Sequence, residues 1–94
     1  MKAGLLTLSL RLYEVESLKA RRSIVKRILA DVHRMGPAFA VCELPGRDGL
    51  NDLTVRIAHL STDVRFSDST LQRIAARFEH KPDYEVTESA IEFL

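Results

Sequence analysis

Leucines at positions 6, 8, 10 and 12, with Thr7, Ser9 and Arg11 between them, restrict this chain more than any other feature. Strict alternation sends successive side chains to opposite faces of an extended strand, so the leucines need one shared core and the intervening residues do not. From Leu18 the spacing changes. Leu18, Ile24, Val25, Ile28, Leu29, Val32 and Met35 fall within roughly a 140° arc at helical spacing, which predicts an amphipathic helix. Ser17 stands where a side-chain oxygen can cap that helix, and Gly36-Pro37 closes it.

Both spacings recur. "AFAVCEL" (38–44) predicts a second strand with Phe39 and Val41 on one face, and "DLTVRIAHL" (52–60) a third with Leu53, Val55 and Ile57 pointing one way. A second helix begins near Asp63 or Ser67, either of which can cap it. It carries Leu71, Ile74, Ala75 and Phe78 as its stripe and stops before Pro82. "DYEVTESAIEFL" predicts a last strand whose alternation slips between Val86 and Ile91, placing a bulge near Glu88. The order β-α-β-β-α-β, with two crossover units, predicts a ferredoxin-like α+β sandwich: a four-stranded antiparallel sheet with both helices on one face. At 94 residues the whole chain, 1–94, is one domain by size.

The formal charge of +1 rules out a polycation, so any signal for nucleic acid must be local. It is local. In "SLKARRSIVKR" and the residues after it, Lys19, Arg21, Arg22, Lys26, Arg27 and Arg34 stand against Asp31 alone. From Glu79 onward, Glu79, Asp83, Glu85, Glu88 and Glu92 stand against Lys81. The single cysteine, Cys42, excludes an internal disulfide and a thiolate metal cluster. The apolar run near the N-terminus alternates and carries Arg11, unlike a signal peptide or a bilayer span, and the chain reads as cytoplasmic with no membrane partner.

With "SLKARRSIVKRIL" after a leucine-rich strand, then "AFAVCEL", then "STD" opening the second helix, the chain resembles the YlxP-like family of small bacterial proteins over nearly its whole length. The Ser-Leu-Lys-x-(Lys/Arg)-Arg stretch at 17–22 is the most specific mark. The resemblance implies a ferredoxin-like fold, no assigned enzymatic activity, and a role near the ribosome by genomic association with translation-initiation and ribosome-maturation factors. The family's segment between strands two and three usually holds a tryptophan and a Gln-Arg pair. Here that loop, within 45–51, has no aromatic residue, so a function carried by it does not transfer.

On the predicted helix, Lys19, Arg22 and Lys26 are spaced three and four apart and form one ridge beside the apolar stripe. Arg27 and Arg34 fall on the far, solvated side, with Arg27 counted among the polyanion-binding residues. Cations next to a helix N-terminus suit a phosphate, because free N–H groups and the helix dipole add to side-chain charge. The competing reading is an ordinary solvated surface. Arg21 falls inside the apolar arc, and alternation puts Glu43 on the core face. In a β-α-β unit the end of the second strand lies near the start of the helix, so the two should meet as a structural ion pair. A ligand-binding or catalytic pair is the alternative.

Catalysis finds no support in the residues. His33, His59 and His80 sit on different elements without metal-ligand spacing, and the first strand–helix connection, "YEVES", lacks the glycine of a phosphate-cradling turn. No metal, cofactor or enzymatic activity is expected. The sheet face away from the helices should present Leu5, Thr7, Ser9, Ala40, Cys42, Leu44, Thr54, Arg56, Ala58 and Leu60. It has no central aromatic on which an RNA base could stack, with Tyr13 only at a strand end. Leu5, Thr7, Cys42, Leu44, Arg56, Ala58 and Leu60 instead predict a homodimer interface, with Arg56 needing an acidic partner from Glu85, Glu88 or Glu92. The function expected is a non-catalytic accessory factor that contacts ribosomal RNA, a ribosomal subunit or another polyanion through the first helix. The alternative is a homo-oligomeric structural or regulatory module that binds no nucleic acid.

Overall fold

The alternating leucines lie in β1 (Lys2–Leu12), and the strand they define is central. A computed structural model describes residues 2–45 and 49–94. After β1 come α1 (Leu18–His33), β2 (Phe39–Leu44), β3 (Asp52–Ser61), α2 (Val64–Phe78) and β4 (Tyr84–Phe93). The sheet order is β2-β3-β1-β4, and every neighbouring pair is antiparallel. This is the ferredoxin-like arrangement that the spacing predicts. No helix among the described residues is long and apolar enough to cross a membrane. The loop 45–51 falls partly outside the described residues, at 46–48.

Period-two burial holds throughout β1 and β3. Leu6, Leu8, Leu10 and Leu12 are enclosed, and opposite them Ile57, Val55 and Leu53 face the same way. Enclosing each such side chain stabilises the fold by about 1.5–3 kcal/mol relative to exposure. Ile24, Val25, Ile28 and Val32 of α1 and Leu71, Ile74 and Phe78 of α2 join the same core cluster. Both helices therefore cover the leucine face. Leu18, at the start of the predicted stripe, stays 58% exposed.

Ser17 caps α1 by accepting a hydrogen bond from the Ala20 N–H at 3.1 Å. Asp63 caps α2, accepting from the Arg65 and Phe66 N–H groups. Ser67, the other candidate cap, is buried in the second turn. The register shift in β4 lies between Glu88, opposite Ser9, and Val86, opposite Leu10. Thr87 is thus the extra residue, one place from the expected position, and its hydroxyl donates to the Ser9 carbonyl at 3.1 Å. The bulge returns Val86 and Tyr84 to the core while Glu88, Ala90 and Glu92 stay on the opposite face.

Gly4 leaves little room for a side chain. It lies in β1 between His59 on β3 and Phe93 on β4. A Cβ there would sit 2.9 Å from Leu71 Cδ1 and 2.9 Å from Phe93 Cε1. Gly4→Ala should lower stability by about 1–3 kcal/mol through this overpacking, offset in part by a loss of unfolded-state freedom worth about 0.4–1 kcal/mol. Urea unfolding checks it: the midpoint should fall, and an unchanged midpoint would show that Leu71 and Phe93 move aside freely.

Candidate functional site

The basic side chains of α1 divide by whether an acid holds them. Arg21, inside the apolar arc, donates from Nη2 to Glu43 Oε2 on β2 at 2.7 Å, and its side chain is 15% exposed. Its Nη1 is buried without a hydrogen-bond partner, so the contact is one-pronged. The two residues that sequence reasoning pairs do meet, at the edge of the core where Glu43 faces Val55 across the strands. Arg34 pairs with Asp31 three residues before it.

Arg27, expected among the polyanion-binding residues, lies on the far side of the helix, where the spacing places it. One residue beyond Lys26 it has turned about 100° around the helix, away from the ridge and toward the start of β4. There its Nη1 donates to Asp83 Oδ2 at 2.8 Å. This is a surface pair that leaves the Arg27 side chain 59% exposed.

Lys19, Arg22 and Lys26 remain. All three are exposed, and with Ser23 they line one shallow groove on α1. Among the described residues none of them forms an ion pair. The first turn of α1 contains no acid, so the positive end of the helix dipole adds to their field.

The predicted interface residues all fall on the face away from the helices. Cross-strand rows there read Ala40–Ala58–Leu5–Glu92, Cys42–Arg56–Thr7–Ala90 and Leu44–Thr54–Ser9–Glu88. Cys42 is exposed, and Leu60 at the end of β3 is 51% exposed. Among the described residues Arg56 does not reach an acid. Its Nε donates to Thr7 Oγ1 at 3.0 Å.

Two polar clusters escaped the sequence reading. His59 continues the inward alternation of Leu53, Val55 and Ile57, is 3% exposed, and bonds through Nδ1 to Ser67 Oγ at 2.7 Å. Its ring lies between Phe39 and Phe66, with centroids 4.7 Å and 5.8 Å away. A serine touching a histidine is the beginning of a nucleophile–base pair, but Ser67 has no exposed surface, and the pair satisfies two buried polar groups. The inward parity of His59 was the available signal. The second cluster joins Arg27, Asp31, Asp83 and Tyr84 around a small cleft. Burial, reinforced by Asp31 and Asp83 and opposed by Arg27, pushes the Tyr84 hydroxyl up to about 12. Nothing in sequence spacing announces contacts between residues this far apart. Among the described residues no group of three His, Cys, Asp or Glu side chains is placed to hold a metal.

A ferredoxin-like domain with one unpaired cationic ridge on its first helix is the class these features define. The family model described as "Protein of unknown function (DUF503)" matches residues 3–91, and the chain belongs to that family. No curated protein matches it. Among solved structures it is similar to the de novo designed protein Foldit4, at 16% identity and a TM-score of 0.53, covering 98% of this chain and 96% of that one. It is also similar to a provisionally assigned chlorite dismutase, at 16% identity and a TM-score of 0.56, covering 99% of this chain and 44% of that one. At such identities the likeness shows the fold alone.

The Arg21–Glu43 contact predicts a measurable coupling. Arg21→Ala and Glu43→Ala should each destabilise the domain by about 1–3 kcal/mol, and the double variant should cost about 0.5–1 kcal/mol less than their sum. Additive losses in urea unfolding would show that the residues do not interact.

Tyr84 predicts an alkaline limit. Its hydroxyl ionises near 10 when unfolded and near 12 when folded, so its contribution is complete below about pH 10 and is lost as pH climbs through about 12. Tyr84→Phe should flatten the decline of stability over that range relative to the wild type. Parallel declines for the two proteins would remove Tyr84 as its source.

Proposed function

We propose that this protein is a non-catalytic accessory factor of the YlxP-like kind, acting in the cytoplasm in ribosome maturation or translation. It holds ribosomal RNA through Lys19, Arg22 and Lys26. The observation that carries the reading is the division of charge on α1. Arg21, Arg27 and Arg34 each have an acid, while the three ridge residues share one strip of surface and have none among the described residues.

The ridge works against the helix that bears it. Like charges three or four residues apart destabilise a helix by about 0.2–0.5 kcal/mol per pair, and Lys19–Arg22 and Arg22–Lys26 are two such pairs. A polyanion laid along the ridge removes that repulsion and gains the field of the Ser17-capped helix end. The contact made is with phosphates. It carries positional rather than base-specific information, in keeping with a sheet face that has no central aromatic for stacking.

Co-sedimentation with ribosomal subunits tests the proposal. Binding should be strong at low salt and fall as salt rises, with a log–log slope of about 0.7–0.9 per phosphate contact. Changing Lys19, Arg22 and Lys26 together to Ala should abolish binding, or flatten the slope by roughly two to three units, with the urea midpoint held or raised. Binding unchanged in that variant would overturn the assignment. An equal loss on Arg27→Ala would extend the site to the far flank of the helix.

A further inference from the structure

We propose that the open face of the sheet is a two-fold interface with a second copy of this chain, its axis running along the strands. This does not rest on the RNA reading, since the face lies opposite the helices.

The face is apolar at the β2 side and acidic at the β4 edge. Ala40, Cys42 and Leu44 project from β2, while Glu88 and Glu92 project from β4 in the same cross-strand rows. Among the described residues neither Glu88 nor Glu92 has a basic partner. Arg56 stands in the middle row, half-buried, with one of its five N–H donors used on Thr7. Among the described residues, one chain thus holds a central cation without an acid and two acids without a cation, all on one face. A second copy supplies each with the other.

Charge also selects the axis. A two-fold axis across the strands would stack each strand on its own copy, setting Arg56 against Arg56 and the β4 glutamates against themselves. An axis along the strands sets β2 over β4 of the partner and β3 over β1 of the partner. Arg56 then faces Thr7 of the partner subunit, and the guanidinium can reach Glu88 or Glu92 of the partner subunit from the adjacent strand. Cys42 comes to lie over Ala90 of the partner subunit, where both side chains are small enough for two sheets to approach to about 10 Å.

Four strands at about 4.8 Å spacing and three to four side-chain rows make a patch of roughly 400 Å² in projection. That is at the small end of specific interfaces, so the dimer is reversible rather than obligate.

Sedimentation equilibrium should show monomer passing to dimer as concentration rises to about 100 µM. Arg56→Glu should weaken association roughly tenfold or more, and adding Glu88→Arg and Glu92→Arg to it should restore association. Circular dichroism confirms that each variant is folded. Cys42 gives a second readout: labelling by a thiol reagent should slow as wild-type concentration rises, and Ala90→Cys should let a short bis-maleimide link Cys42 of one copy to position 90 of the other. The Lys19, Arg22 and Lys26 triple variant should dimerise like the wild type. A wild-type protein that stays monomeric, or a Cys42 that labels at one rate at every concentration, would overturn the interface. Dimerisation unaffected by Arg56→Glu would overturn the charge pairing and with it the axis.

Discussion

The fold depends on β1 being bonded along both edges. Its leucines sit between β3 on one side and β4 on the other, so the first strand of the chain is completed by the last. Gly4 lies opposite Phe93, and the Leu94 N–H reaches the Ala3 carbonyl at 2.9 Å. That pairing closes a loop of nearly the whole chain before its contacts can form, which is entropically costly and kinetically slow. The cost is met by a shared core. Both helices bury their apolar stripes in the core that the leucines anchor, α2 against β1, β3 and β4 together.

Helix α1 then serves two purposes with one set of basic residues. Arg21, inside the apolar stripe, fixes the start of the helix to β2, and Arg27, beyond the stripe's edge, ties its middle to the turn before β4. These contacts hold the helix against rotation. A ridge displayed by a rotating helix would present its charges in no fixed pattern, so the two paired arginines define where Lys19, Arg22 and Lys26 point.

What the sequence discloses follows from which interactions are local. Leu6 to Leu12 and the α1 stripe reveal themselves through period, and Ser17 and Asp63 through their position before a helix. Even the Arg21–Glu43 contact was legible, because two residues on the wrong side of their own patterns needed each other, and the β-α-β topology put them at one end. Helical spacing gives the flank of Arg27 but not the neighbour waiting there, since Asp83 comes from the turn before β4, 56 residues away. His59 obeyed the inward alternation of β3 and should have been read from it. Ser67 and two phenylalanines make a burial site for it.

The bulge at Thr87 divides the chain's tolerance of changes in length. Remove Thr87 and β4 becomes an unbroken alternation in which Tyr84, Val86, Ser89 and Ile91 face inward and Glu85, Glu88, Ala90 and Glu92 face outward, as they do now. Remove any residue from 89 to 91 instead and each side chain before the gap, as far back as the bulge, exchanges faces with its neighbour, sending Glu88 toward the leucines. The bulge at 87–88 is therefore where this strand can lose a residue and still keep every other side chain on its present face.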